Sequence, residues 1–403
     1  MITPPLKIKI INTSIHSFHF FGAIGFFLGL FLGVALAYAT VLSMWTVVLC
    51  SLVGAGVLFG MTYLYKVLTG REDLVYYQHE IAILVCCLIT LSLLNQPILS
   101  YLDITIMGIG VFLVFGRIGC FSVGCCHGRI GKVGVKYTDA HVAEGFHRHF
   151  AGVPIFPIQL IESGCVLVTV FIGTYIILKD YLPGTALLFY TIFYGAVRFV
   201  LEFYRGDTDR PYWFGFSEAQ WTTFGIFVIS LVLSFYGLLP HYLWHLWALP
   251  LLVLVMVTTV TFRKFQNVPK YKILHPKHIL EIAKGIEALE YYIPINGEIF
   301  MVSTSLNMNI SRGILELEQK PFVHYTISSN DKIKFDIDKN SAKLIGKLIQ
   351  TLKYPTEDFE IEEGGQGVYH LIFPLFIPKN KTSIETSISD ALSLRRDLRN
   401  SYN

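Results

Sequence analysis

The chain has 403 residues, of which 53% are hydrophobic and only 15% are charged, and its formal net charge is +3. This composition is typical of a membrane protein, and so small a net charge gives no basis for nucleic-acid binding. Charged residues are concentrated late in the chain. We therefore expect a membrane domain over 1–262, a soluble α+β domain over 263–380 and a polar tail over 381–403.

Eight apolar runs are long enough to cross a bilayer, which takes roughly 20 helical residues. They lie at 18–40, 42–65, 76–96, 98–115, 158–178, 184–204, 216–238 and 242–262. The predicted fold is an all-α polytopic membrane helix bundle of seven to eight spans, followed by a small α+β soluble domain. Glycines recur at close to four-residue spacing in the first run, which lets helices approach closely in lipid.

The third and fourth runs carry ionisable residues near their starts. His79 and Glu80 lie together at membrane depth. The ordinary pKa of histidine is near neutrality, so His79 is a candidate general base. The alternative is an interfacial residue at the start of a helix. Asp103 interrupts the fourth run, and the sequence does not assign it a role.

The glycine-rich stretch at 116–129 (GRIGCFSVGCCHGR) directly follows the fourth run. Arg117 lies at or inside the membrane boundary, where an arginine costs at least about 2.5 kcal/mol unless it has a partner or an aqueous cavity. Cys120, Cys125, Cys126 and His127 follow it. Small-residue packing explains the cysteines most simply, and zinc binding or a redox pair of thiols are the alternatives.

The fifth and sixth runs carry further polar groups at membrane depth. Gln159 and Glu162 are three residues apart and share one helix face, whereas Arg198 and Glu202 are four apart and can pair. The pair is either structural or part of a cationic site for an anionic head group, because a guanidinium binds phosphate through two hydrogen bonds. With Arg117, these side chains predict a cavity that accepts a lipid phosphate.

The order of these motifs resembles that of the bacterial prolipoprotein diacylglyceryl transferase family. The resemblance covers roughly residues 10–240. It rests on four ordered segments, at 116–128 (GRIGCFSVGCCHG), 157–162 (PIQLIE), 194–203 (YGAVRFVLEF) and 217–220 (SEAQ).

Several positions depart from the pattern of that family. Cys120 and Cys125 stand where the family has asparagine and glutamate, and Phe156 stands where it has histidine. The segment at 77–80 lacks the glycines of the corresponding family segment, and Met61 or a neighbour replaces an arginine. The chain therefore resembles a divergent branch, in which fold and lipid binding carry over better than the exact chemistry.

The resemblance implies transfer of the diacylglyceryl group of phosphatidylglycerol to the acceptor cysteine of a lipoprotein precursor, in the bacterial cytoplasmic (inner) membrane. It implies no metal and no cofactor. The implied catalytic residues are Arg117 and Arg198, which would hold the departing glycerol phosphate, and His79 as the base. The implied substrate-binding residues are Glu202, Gln159, Glu162, Tyr194, Gly128, Cys120 and Cys125. The alternative function is a non-catalytic lipid-binding or thiol/metal-binding membrane protein on the same scaffold.

The orientation of the last part of the chain is open. The family has seven spans with its signature on the outer face, so an eighth span would place the C-terminal domain outside. Basic residues just after position 262 predict a cytoplasmic C-terminal domain instead. Both signals are satisfied if the eighth run lies on the membrane surface. Within this domain we predict helices at 276–290 and 340–352 and strands at 332–337 and 369–373.

Overall fold

The computed structural model describes residues 3–10, 13–70, 76–208, 210–265, 270–291, 300–317, 320–329, 337–365 and 367–374. The chain divides into two compact units, Met1–Lys284 and Gly285–Asn403. The strand predicted at 332–337 lies outside the described residues apart from Ile337, and so does the predicted tail at 381–403.

The first unit begins with a small hairpin and four long helices. The hairpin consists of β1 (Lys7–Ile10) and β2 (Thr13–His16). The helices are α1 (Ser17–Ala39), α2 (Met44–Thr69), α3 (Tyr76–Leu93) and α4 (Ile98–Val123). Helices α1 and α4 approach closely at a pair of glycines, since a Cβ atom at Gly29 would lie 2.7 Å from the carbonyl oxygen of Gly108.

A folded connection separates these helices from the second set. It contains β3 (Ile130–Lys136), α5 (Asp139–Ala143) and β4 (Pro154–Ile155). The second set of helices is α6 (Ile158–Leu178), α7 (Thr185–Leu201), α8 (Glu218–Phe235) and α9 (Leu243–Phe265). A short hairpin of β5 (Tyr212–Trp213) and β6 (Phe216–Ser217) connects α7 to α8. Within the described residues, eight helices are therefore long and apolar enough to span a membrane, as predicted.

Asp103 has a structural role at one end of the bundle. Its carboxylate accepts hydrogen bonds from the backbone N–H groups of Gly184 and Leu187, each at 2.7 Å. The carboxylate thus caps the first turn of α7 from the neighbouring helix α4, where free N–H groups favour a negative charge.

Helix α9 runs along the bundle beside α7 and makes contacts at both of its ends. At one end Tyr242 and Thr185 hydroxyl groups lie 3.0 Å apart, and at the other Arg263 Nη1 donates to the carbonyl oxygen of Gly215 at 2.7 Å. These contacts favour a spanning eighth run, and its crossing of the membrane stays a prediction. Arg263 also stacks over Phe216, so this member of the basic cluster is a packing residue as well as a charge.

Two further helices follow, α10 (Lys270–Ile273) and α11 (Pro276–Tyr291). In the second unit, the described residues form an antiparallel sheet in the order β10-β11-β9-β8-β7. Its strands are β7 (Met301–Ser303), β8 (Met308–Leu317), β9 (Lys320–Ser329), β10 (Glu360–Gly365) and β11 (Val368–Pro374).

Helix α12 (Lys339–Lys353) packs on this sheet. Its buried side chains Ile345 and Ile349 belong to the same unit as the buried Tyr325, Leu371 and Phe373 of the strands. The predicted helices at 276–290 and 340–352, the predicted strand at 369–373 and the α+β class of this unit are confirmed.

Candidate functional site

Two buried arginines share one carboxylate where α4 and α7 end and α6 begins. Arg117 lies in the last two turns of α4 and Arg198 in the last turn of α7, whereas Glu162 lies near the start of α6. Arg117 Nε is 3.0 Å from Glu162 Oε2, and Arg198 Nη1 is 3.2 Å from Oε1. Cations at helix C-termini and an anion near a helix N-terminus also suit the helix dipoles.

Tyr194 and Glu202 complete the surroundings of Arg198. The hydroxyl of Tyr194, one turn earlier on α7, donates to Glu162 Oε1 at 2.9 Å. Glu202 Oε2 lies 3.1 Å from Arg198 Nη2, so the predicted pair at i and i+4 is confirmed. The four side chains of this cluster that carry charge, including Arg117, are at most 5% exposed. The cluster is therefore shielded from water. Charges interact more strongly in such a buried environment than they do in water.

The ionic network continues beyond the predicted residues. Arg210 Nη1 lies 2.5 Å from Glu202 Oε1, and Arg210 Nε lies 2.6 Å from Asp207 Oδ2. Arg205 forms two hydrogen bonds to the carboxylate of Asp207, at 2.8 and 3.0 Å. We call this series the charge ladder. In order along its contacts it contains Arg117, Glu162, Arg198, Glu202, Arg210, Asp207 and Arg205.

The charge ladder carries one positive charge in excess, because it joins four guanidinium groups to three carboxylates. Burial would raise the pKa of Asp207, but the guanidinium groups of Arg205 and Arg210 hold that pKa below its ordinary value. Asp207 is thus ionised near neutral pH. Nη1 of Arg205 is buried and has no hydrogen-bond partner among the described residues.

Sequence reasoning missed Arg205, Asp207 and Arg210 as parts of the site. The signal was available, since two arginines and two aspartates lie within the eight residues after Glu202. Their assembly depends on the turn at Glu202–Tyr204, which ends the helical segment and directs the following residues back over the site.

Three thiols lie beside the charge ladder. The sulfur atoms of Cys120, Cys125 and Cys126 are all within 4.8 Å of one another. Cys126 adopts a left-handed backbone conformation (φ 54°), which helps to bring its side chain back to the end of α4. Cys125 is exposed, and its carbonyl oxygen accepts a hydrogen bond from the Gln159 amide at 2.9 Å.

Gly128 has a packing role in this region. Its backbone pairs with that of Arg205, and a Cβ atom at this position would collide with the carbonyl oxygen of Phe156. Only glycine allows the two chain segments to approach this closely. The adjacent His127 is buried, and burial lowers the pKa of its imidazole, so this ring is neutral near pH 7.

His79 lies in the wall of an apolar cavity of about 100 Å³ formed by α1 to α4. Its Nε2 atom is 3.4 Å from the hydroxyl oxygen of Thr62. Tyr76 lines the same cavity, and its ring centroid is 5.9 Å from that of Tyr194, which donates to Glu162. Tyrosine rings therefore connect the His79 cavity to the charge ladder, and the role of His79 as a base stays a prediction.

The family model described as prolipoprotein diacylglyceryl transferase matches residues 5–236. Relatives named phosphatidylglycerol–prolipoprotein diacylglyceryl transferase include that of Clostridium tetani, 31% identical over 115 residues, which are 28% of this chain and 44% of the relative. The Dehalococcoides mccartyi (strain 195) protein is 32% identical over 138 residues, covering 34% of this chain and 49% of the relative.

The longest of the three alignments is to the protein of that name from Helicobacter hepaticus, 28% identical over 177 residues. These residues are 43% of this chain and 59% of the relative. The chain thus spans about half the length of the curated relatives that it matches. The region matched by the family model includes every residue of the charge ladder.

Proposed function

Since the chain belongs to the prolipoprotein diacylglyceryl transferase family, we propose that it transfers a diacylglyceryl group from phosphatidylglycerol to the cysteine thiol of a lipoprotein precursor. The observation that carries this proposal is the buried charge ladder with its one excess positive charge. An anionic phosphodiester at the ladder would balance that charge. The setting would be the bacterial cytoplasmic membrane, which supplies the lipid donor.

Arg117 and Arg198 are the groups that would bind the phosphate of the donor lipid. Each is anchored by Glu162 at 3.0 to 3.2 Å, so their positions are set before the lipid binds. Fixed cations in a site that excludes water stabilise a developing negative charge without the cost of reorienting solvent. Glu202 would keep the Arg198 guanidinium in place from its other side.

The reaction is a substitution at a glyceryl carbon. A carbon–sulfur bond forms between the acceptor thiol and the glyceryl group, and the carbon–oxygen bond to the phosphate breaks. Glycerol phosphate departs with the electron pair of that bond, and Arg117 and Arg198 compensate its additional charge. The proton of the thiol passes to a base, for which His79 is the candidate from the sequence.

Complementation provides the first test. A bacterium depleted of its own diacylglyceryl transferase receives the wild-type chain, Arg117→Ala, Arg198→Ala or Arg148→Ala. Arg148 is exposed and provides a matched control. We expect growth with wild type and Arg148→Ala, and none with the other two variants if their membrane levels equal that of wild type.

A direct assay separates transfer from lipid binding alone. The purified chain is mixed with phosphatidylglycerol vesicles and a peptide that carries the acceptor cysteine. Mass spectrometry should detect the diacylglyceryl thioether, formed at least about 10²-fold more slowly with Arg198→Ala because one charge-stabilising group is lost. Binding of the lipid by the wild-type chain without any thioether would contradict the proposed function.

A further inference from the structure

The thiol cluster of Cys120, Cys125 and Cys126 brings together three sulfur donors that could hold a metal ion. Its sulfur atoms lie within 4.8 Å of one another, and the described residues provide no fourth histidine, cysteine or carboxylate ligand to the cluster. Zinc binds thiolates at about 2.3 Å in tetrahedral geometry, so its sulfur ligands lie roughly 3.8 Å apart. To meet this geometry the sulfur atoms must approach one another by up to about 1 Å through rotation of their side chains.

A three-ligand cluster leaves one position of a tetrahedral ion open. Structural zinc sites are closed by four protein ligands, whereas catalytic zinc sites have three and keep the fourth for a water or a substrate. Cys125 is exposed, so the open position is accessible from outside the bundle. This arrangement is that of a reactive site rather than a structural one.

Two arginines of the charge ladder lie near the thiol cluster. The guanidinium groups of Arg117 and Arg205 both act electrostatically on Cys126. The buried Nη1 atom of Arg205 also lacks a hydrogen-bond partner among the described residues, and a metal-bound thiolate would be an acceptor for it.

We propose that Cys120, Cys125 and Cys126 bind a zinc ion and that the acceptor thiol of the transfer reaction occupies its fourth position. This inference rests on the proposed function and differs from the absence of a metal implied by the resemblance. A thiol bound to zinc loses its proton outright, and the thiolate is the nucleophile. The released proton passes to the base, as in the reaction described above, and the thiolate then attacks the glyceryl carbon and displaces glycerol phosphate.

Metal analysis tests the site without reference to activity. The full chain is purified in detergent, treated with a chelator, reloaded with zinc and desalted. We expect about one zinc ion per chain for wild type and for the control Cys86→Ser, whose thiol is half-buried in α3. Cys120→Ser, Cys125→Ser and Cys126→Ser should each lose most of the bound zinc. Equal zinc in wild type and the triple variant would overturn the site.

Cobalt substitution tests the open fourth position. The cobalt-loaded chain should show thiolate-to-metal absorption, and a peptide with the acceptor cysteine should change its visible bands, whereas the same peptide with serine should not. No response to the cysteine peptide overturns the assignment of the fourth ligand.

The outcomes also distinguish this inference from the proposed function. If the zinc-free chain transfers the diacylglyceryl group as fast as the zinc-loaded chain, the proposed role of zinc in the reaction is rejected and the transferase function stands. Zinc bound by the three cysteines, with a cobalt response to the peptide but no thioether from phosphatidylglycerol, would support the site and reject the transferase function.

Discussion

Helices α1 and α12 expose different kinds of residue, although each packs along one face. In α1 the large side chains of Phe27 and Phe31 are 66% and 72% exposed, while Gly29 is buried. In α12 the apolar Ile349 is buried and Lys343 is exposed. The difference follows from the surrounding solvent, since lipid accepts apolar surface and water does not.

This contrast determines where sequence is informative about function. In the membrane unit an ionisable group at depth is costly, so Arg117, Glu162 and Arg198 indicate a candidate site. In the C-terminal unit charged residues are ordinary surface, and the apolar pattern reveals only the core. The predictions below test this contrast, beginning with the largest expected effect.

Glu162→Gln should have the largest effect, because it removes the carboxylate that Arg117 and Arg198 share. Removing one partner of a buried ion pair destabilises a protein by roughly 3–5 kcal/mol. We expect a lower unfolding temperature in detergent and loss of thioether formation. The control is Glu363→Gln, an exposed residue of β10. A Glu162→Gln chain as stable as this control would show that the ladder does not stabilise the bundle.

Ile349→Ala should have the next largest effect, and in the other unit. The side chain is fully buried in α12, and its truncation costs about 2–5 kcal/mol through lost contacts and the cavity left behind. Hydrogen exchange of β9 and β11 should become faster, while exchange in α4 and α6 is unchanged. Lys343→Ala, on the exposed face, should leave exchange unaltered. Equal exchange in both variants would contradict the core assignment.

Gly29→Ala tests close helix packing in the membrane unit. Its Cβ atom would lie 2.7 Å from the carbonyl oxygen of Gly108, so α1 and α4 must separate at a cost of about 1–3 kcal/mol. Gly22→Ala is the matched control on the same helix, because a Cβ atom there meets nothing within 4 Å. Thermal unfolding in detergent measures both variants. A stable Gly29→Ala chain would refute tight packing at this contact.

Asp103→Asn should have the smallest effect. It tests whether every acidic residue at membrane depth takes part in function, or whether some have a structural role only. This residue only caps α7, so replacing a charged acceptor by a neutral one should cost about 1 kcal/mol and leave transfer unchanged. The control is Asp180→Asn, an exposed residue between α6 and α7. Loss of transfer by a folded Asp103→Asn chain would assign this carboxylate to the reaction.

Local patterns predicted much of the membrane unit. The fifth run, 158–178, coincides with α6, because continuous apolar sequence is what lipid requires of a helix. The fourth run was predicted to end at 115, but α4 continues to Val123. The helix continues past Arg117 because Glu162 neutralises that charge, and this contact joins residues 45 positions apart. Hydropathy along the chain contains no information on such a partner.

Within the candidate site, spacing along one helix predicted Arg198 with Glu202, because residues four apart are neighbours on a helix. The contacts of Arg210 and Arg205 with Asp207 depend on a turn whose geometry is set by tertiary packing. The convergence of the three thiols depends in the same way on the backbone of Cys126. Sequence identified these cysteines as candidates, but only the folded chain brings their sulfur atoms together.

The contact at the end of α9 has a consequence for biosynthesis. Because this helix ends beside Gly215, in the hairpin that precedes α8, the polypeptide that follows α9 begins on the same side as that hairpin. If that side is extracytoplasmic, the last third of the chain is exported. All seven cysteines precede residue 166, so this exported portion has no thiols that oxidising enzymes could pair wrongly.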